Sequence, residues 1–158
     1  MEQVRIAVIR VRGDVGLSCH VRQTFKLLRL YKKNYCGVFP SSPCMLGMVQ
    51  RVKDFVTFGE LDKDTFLKLM KMRGRLAGNK PVTEEYLKAN AKTDFQKFSD
   101  DFANFKAELK DVPGMKQFFR LHPPIGGFER IGIKKTYAEG GALGYRGKEI
   151  NKLLQRMI

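Results

Sequence analysis

The run Val4-Arg5-Ile6-Ala7-Val8-Ile9-Arg10-Val11-Arg12 near the amino terminus sets the strongest limit on how this chain can fold. Side chains of a strand alternate between two faces, and here both sets are apolar at the centre, Ile6 and Val8 on one, Ala7, Ile9 and Val11 on the other. A strand of that kind needs cover on both sides, which places it in the middle of a sheet. The residues after it supply cover. Gly13-Asp14-Val15-Gly16 reads as a turn and Ser18 as an N-cap. Val21, Phe25, Leu28 and Tyr31 then recur at helical spacing, with Arg22, Lys26, Arg29 and Lys33 away from them. Residues 35–39 read as a second strand. Ser42-Pro43 is an N-cap followed by proline at the first helical position, opening a helix through Met45, Met48, Val49 and Val52. Phe55-Val56-Thr57-Phe58 closes the unit before Gly59. The order β-α-β-α-β over residues 1–59 predicts an α+β fold, a small three-stranded sheet with helices packed on it. Strand directions are not legible at this level.

From residue 60 to 114 the period becomes helical. Asp62 is placed to cap a helix bearing Phe66, Leu69 and Met70, the stretch 74–81 breaks it, and Thr83 caps a short helix through Tyr86 and Leu87. Phe95, Phe98, Phe102, Phe105 and Leu109 follow, spaced alternately by three and four and stopped by Pro113-Gly114. Such a stripe is expected to turn inward onto the chain's own helices. The basic, glycine-bearing loop at 74–80 reads as a solvated connector, with an RNA contact as the alternative.

Charge divides the chain at nearly the same places. The net charge is +14, and its position says more than its size. Residues 1–53 carry ten Lys and Arg against two acids, residues 54–114 eleven against eleven, and residues 115–158 nine against three. A neutral middle between basic ends predicts one built face formed by both termini, suited to a polyanion. The last stretch sets Arg120-Leu121-His122-Pro123-Pro124 and Gly126-Gly127 before Lys134-Lys135, Gly140-Gly141, Gly144-Tyr145-Arg146-Gly147-Lys148 and a short helix. It reads as a basic, glycine-rich arm that buries little. Its glycines allow close backbone approach, and its interleaved cations and rings suit RNA, where exposed bases offer faces to stack on. An ordinary β-hairpin with turn glycines is compatible with that reading. The candidate RNA-binding residues are Arg10, Arg12, Arg22, Lys26, Arg29, Lys33 and Arg51 in the first stretch. In the last they are Arg120, His122, Lys134, Lys135, Tyr145, Arg146 and Lys148.

Other chemistries find little support. No apolar run reaches the length of a membrane span and the start lacks the long apolar stretch of a signal peptide, so no membrane partner and a cytoplasmic location are expected. Three cysteines, an odd number in a chain with a core of its own, point to reduced thiols. Cys19-His20, with Cys36 and Cys44 elsewhere, lacks the close paired spacing of a zinc site, so no metal is expected. The run at 144–148 brushes against a phosphate-binding loop, but Ala142 and Glu149 stand where that loop needs glycine and a hydroxyl. No cofactor, no small-molecule substrate and no catalysis are expected.

Several of these segments are familiar together. Arg120-Leu121-His122-Pro123-Pro124-x-Gly126-Gly127, the run 139–147, and Ile150-Asn151-Lys152-Leu153-Leu154-x-Arg156-Met157 closely resemble the tail of the large-subunit ribosomal protein L-thirty family, archaeal type, called L-seven in eukaryotes. Val21-Arg22-x-Thr24-Phe25-Lys26-Leu27-Leu28-Arg29-Leu30 and Gly47-Met48-Val49-x-Arg51-Val52-Lys53-Asp54 resemble that family's first and second helices. The likeness covers essentially the whole chain. It implies a noncatalytic, ribosome-bound constituent of the large subunit with a ferredoxin-like core, binding ribosomal RNA beside neighbouring ribosomal proteins. Whether the 5S rRNA is among its partners stays open, and the competing reading is a free RNA-binding or RNA-chaperone module that visits ribosomes. One departure is local: Ile125, Glu129 and Ile131 stand where many relatives are expected to carry basic residues, so the tip at 125–131 is expected to pack rather than bind. Lys134, Lys135, Arg146 and Lys148 keep their places.

Overall fold

Strand β1 (Arg5–Arg10) lies at the centre of a five-stranded sheet in a computed structural model that describes residues 4–90 and 93–158. It pairs antiparallel with β2 (Tyr35–Pro40), Val8 opposite Gly37, and antiparallel with β3 (Val56–Glu60), Val8 opposite Phe58. All six of its residues are buried, as two apolar faces require. Ile6 and Val8 meet Phe25, Leu28, Val49 and Val52 from α1 (Cys19–Leu27), the turn after it, and α2 (Pro43–Val52). Ala7 and Ile9 meet Phe66, Leu69 and Met70 of α3 (Lys63–Arg73) and Phe95, Phe98 and Phe102 of α5 (Phe95–Ala103), with the short α4 (Glu84–Asn90) between those two in sequence. Phe95, Phe98, Phe102 and Leu109 of the stripe are core, whereas Phe105 is half-buried beyond the end of α5.

Helix starts follow the local chemistry read from the sequence. The Ser18 hydroxyl accepts from the Val21 N–H and the Ser42 hydroxyl from the Met45 N–H, each satisfying a donor that the first turn leaves without a partner. α3 also ends as read, at Arg73 before Gly74, but the ends of α1 and α5 do not follow local chemistry. α1 stops at Leu27, short of Tyr31, because Arg29 turns left-handed at φ 55°. The Arg29 N–H then reaches Lys26 O, and the Leu30 N–H reaches Phe25 O. α5 ends the same way, with Phe105 at φ 61°, its N–H on Phe102 O and the Lys106 N–H on Asp101 O. Both are the paired closing bonds that usually form around a glycine. An arginine and a phenylalanine stand in that place, so nothing in the sequence marks the stop. Phe105 is held there by Arg5, whose guanidinium lies 4.2 Å from its ring and 4.0 Å from Phe102 while donating to Phe102 O.

The last stretch completes the sheet and the core rather than extending from them. β4 (Phe119–Arg120) adds to β2 at one edge, and β5 (Gly144–Tyr145) adds parallel to β3 at the other. Helix α6 (Ile150–Met157) packs on the same face as α3, burying Ile150, Leu153, Leu154 and Met157. Residues from all three stretches of the charge map share this one apolar cluster, so the expectation of a tail that buries little does not hold. A 3₁₀ turn at Gly147–Glu149 leads into α6 and runs hard against β3: a Cβ on Gly59 would stand 2.1 Å from the Gly147 carbonyl oxygen. Gly59→Ala is therefore expected to cost about 3 kcal/mol, since backbone and not a side-chain tip would have to move. Gly47 on α2 has open space around it, and Gly47→Ala should stabilise by about 0.5–1 kcal/mol. Urea midpoints of the two variants, shifting in opposite directions, check the pair.

Candidate nucleic-acid interface

Because α1 turns Thr24 and Phe25 to the core, helical spacing leaves Arg22 and Lys26 outside. These two line a cleft with Asp14, Phe25 and Tyr31. The chain then runs Arg29-Leu30-Tyr31-Lys32-Lys33 across the end of the sheet, with Leu30 buried and the other four exposed. Pairing of β2 with β4 sets Tyr35 opposite Arg120 and brings Phe118 beside both. Phe118 lies parallel to Tyr35, ring centres 5.1 Å apart, and at 84° to Tyr31 at 5.9 Å. The Arg120 guanidinium stands 5.8 Å from the Tyr35 ring and 5.9 Å from Phe118. Three rings thus join the cations of α1 to those of the β4 edge. Nearby, Arg12 and Lys33 line a second cleft with Pro123, Phe128 and Ile133, so residues from both basic ends meet there.

Two candidates from the sequence are inside the protein. Arg10 is 1% exposed. Its guanidinium lies 4.1 Å from the Phe25 ring and donates to Leu30 O at 2.8 Å, Tyr31 O at 3.0 Å, Arg12 O at 2.9 Å and the Asp14 carboxylate at 2.6 Å. The hydrogen bond from Arg10 pulls the Asp14 carboxyl below its ordinary pKa. Arg146 is 5% exposed, with both amino groups on Glu129 at 2.6 and 3.1 Å, Nε on the Thr57 hydroxyl at 2.8 Å, and a further bond to Ala142 O. Guanidinium donors spent in this way have no reach to an external phosphate. Charge count cannot separate such residues from surface cations, because the carbonyls that draw them inward come from distant parts of the chain.

The remaining candidates are at the surface but not all together. Arg12 is half-buried, donating to Asp54 O over the Phe55 ring. Arg51, His122, Lys134, Lys135 and Lys148 are exposed, Lys135 within 3.8 Å of Glu139. Tyr145 is exposed on β5, the outer strand opposite to Arg120, and its hydroxyl donates to Glu60 at 3.2 Å. The tip at 125–131 is tied down by its backbone. Arg156 donates to Ile125 O and Gly127 O, and the Ile125 N–H returns to Arg156 O. Phe128 and Glu129 face inward, whereas Ile125 and Ile131 keep exposed side chains, Ile125 at 81%, in contrast to the packing expected for them.

Tyr31, Lys32, Tyr35 and Phe118 were not among the candidates. Tyr31 reads as a buried helix position until Arg29 ends the helix. The signal available was Phe118 and Arg120, two apart and so on one side of an extended chain, as alternate residues of a strand are. The thiol chemistry has a plain physical limit at Cys36, which is buried and pushed up to about 12 by that burial. Among the described residues no group of three or more His, Cys, Asp or Glu is arranged to hold a metal, and no helix is long and apolar enough to cross a membrane.

Known proteins match nearly the whole of this chain. The family described as Ribosomal protein L30p/L7e matches residues 6–56, the sheet core with α1 and α2. A large ribosomal subunit protein uL30 of Methanopyrus kandleri is 50% identical over 149 residues, covering 94% of this chain and 100% of the relative. The uL30 of Methanococcus vannielii is 47% identical over 152 residues, covering 96% and 98%, and that of Nanoarchaeum equitans 43% over 152 residues, covering 96% and 97%. The matched spans take in the tail as well as the core, and the chain belongs to the L30p/L7e family of ribosomal proteins.

Proposed function

We propose that this chain is a structural, noncatalytic constituent of the large ribosomal subunit that binds and stabilises ribosomal RNA, held at the ribosome in the cytoplasm beside neighbouring ribosomal proteins. Supporting this is the name its relatives carry and one observation above all: exposed Arg22 and Lys26 share a cleft with the Tyr31 ring, exposed Arg120 stands within 6 Å of the half-buried Tyr35 and Phe118 rings, and Arg29, Lys32 and Lys33 are exposed on either side of Tyr31, on a protein whose other large aromatic cluster is core. Backbone phosphates are held by such cations without regard to sequence, and the fold fixes where they stand.

Each Lys or Arg that neutralises a phosphate steepens the fall of log K with log salt by roughly 0.7–0.9. Replacing Arg22 and Lys26 with alanine should therefore flatten the slope for large-subunit rRNA fragments by roughly 1.4–1.8, while Lys97→Ala on the exposed side of α5 leaves it unchanged. Equal slopes in all three proteins would remove α1 from the interface. Sedimentation of ribosomes in high salt tests the placement: an integral constituent stays stoichiometric with large subunits. A protein stripped from them would instead be a visiting RNA-binding module.

A further inference from the structure

We propose that Tyr31, Phe118, Tyr35 and Arg120 form a stacking subsite for a nucleobase standing out of its RNA helix, so that the β4 edge takes unpaired rather than fully paired RNA. The inference rests on the RNA-binding reading and adds a choice among RNA structures that phosphate contacts cannot make. Its first support is shape. Phe118 and Tyr35 lie 9° from parallel, and Tyr31 meets Phe118 at 84°, so the rings form a corner with two walls. A flat heteroaromatic ring fits such a corner with its face on one wall and its edge on the other, the two arrangements that aromatic quadrupoles favour. Tyr31 is 48% exposed while Tyr35 and Phe118 are half-buried, so Tyr31 is the wall of the corner most open to solvent.

Its second support is charge. Arg120 stands within 6 Å of two rings, where a planar cation stacks on a base or pairs with the adjoining phosphate. Arg29, Lys32 and Lys33 are exposed on the same connecting chain, and Arg22 and Lys26 line the cleft that Tyr31 shares, so phosphates on both sides of an extruded nucleotide meet cations. Two acids lie near. Asp14 is bound by Arg10 at 2.6 Å, and Glu108, in the cleft that Arg29 lines, is 3.5 Å from Lys110. Neither leaves an uncompensated negative charge at the corner. An A-form duplex keeps its bases stacked and presents phosphates and ribose, so it offers the rings nothing to grip.

The test uses the full-length protein with single-stranded oligoadenylate carrying one 2-aminopurine, and with the same strand annealed to oligouridylate. Binding of the single strand should change the 2-aminopurine fluorescence. Tyr31→Ala should weaken single-strand binding roughly ten-fold, the value of one base stack, and leave the duplex affinity and both salt slopes unchanged because no cation is removed. Tyr31→Phe should bind as the parent does. Phe118→Leu, accepted only if its melting matches the parent, should repeat the alanine result. As a readout independent of any variant, a single strand carrying 5-bromouridine should photocrosslink to Tyr31 or Phe118. Losses equal on both RNAs, no loss on either, or crosslinks confined to other residues would overturn the subsite while leaving the protein an RNA binder. A parent protein that binds neither RNA would overturn the RNA reading itself.

Discussion

Deleting residues 118–158 is expected to abolish cooperative folding, not merely to weaken a contact with RNA. The deletion removes β4, β5 and α6 and with them Phe119, Ile150, Leu153, Leu154 and Met157, each at most 2% exposed. These side chains cover one face of the sheet, where Ala7, Ile9, Cys36 and Val38 would be left open together with the inner sides of α3 and α5. At about 1.5–3 kcal/mol for each fully buried large apolar side chain, five of them contribute roughly 10 kcal/mol. Small domains are stable by only about 5–15 kcal/mol in all. Thermal melts of the shortened chain followed by circular dichroism should therefore show no sigmoidal transition. Leu154→Ala alone should keep the transition and lower stability by about 3 kcal/mol. A shortened chain that melts cooperatively near the parent's temperature would mean that residues 1–117 hold their own core. It follows that RNA contacts of the tail are to be sought with point variants.

Arg146→Ala should be the most damaging single change to a charged residue, at about 3–5 kcal/mol, the usual cost of leaving one member of a buried ion pair without its partner. It would take from Glu129 its ion-pair partner and from Ala142 O a hydrogen bond, and would leave the Thr57 hydroxyl with only its bond to Gly144 O. Glu129 carries a pH signature of the same clasp. Burial raises its carboxyl, but the hydrogen bonds from Arg146, a backbone hydrogen bond and the charges of Arg146 and Arg156 outweigh it and hold the pKa below its ordinary 4.5. A carboxyl lowered on folding binds more protons in the unfolded chain, so stability rises with pH across the window between the two values. The Glu129 contribution is complete above about pH 4.5 and is lost as pH falls through the lower, folded value. Glu129→Gln should thus flatten the acid limb of a plot of urea midpoint against pH. An unchanged limb would show that the pair adds no acid dependence. Arg146→Ala, compared while folded, should leave the salt slope of RNA binding unaltered, in contrast to the exposed cations of α1.

What could be read from residues alone divides along physical lines. The central strand, the two serine caps, Pro43 at the start of α2 and the inward phenylalanine stripe were all legible, because side-chain alternation, helical period and capping bonds act within a few residues. The same is true of Arg22 and Lys26, whose outward position follows from Phe25 being inward. Helix ends were not legible where Arg29 and Phe105 take the left-handed place of a glycine. Tyr31 was lost with the first of them, being assigned to a helix that had already stopped. Arg120 was a candidate, but the ring cluster beside it was not legible, because Tyr31 and Tyr35 on one side and Phe118 and Arg120 on the other lie some eighty residues apart and meet only through strand pairing.

By itself the sequence determined the β-α-β-α-β order with its covered central strand, the neutral middle between basic ends and, through motifs spread along the chain, the family. Only the tertiary structure decided which arginines are drawn inside. Arg10 is held by carbonyls of Leu30 and Tyr31, and Arg146 by Thr57, which is 89 residues away. A buried cation is stable only where distant acceptors converge on it, and no local pattern records that convergence. For the same reason the glycine-rich tail, arm-like when its charges are counted, became two edge strands and a helix of the core once Phe119 and Leu154 had a sheet to cover.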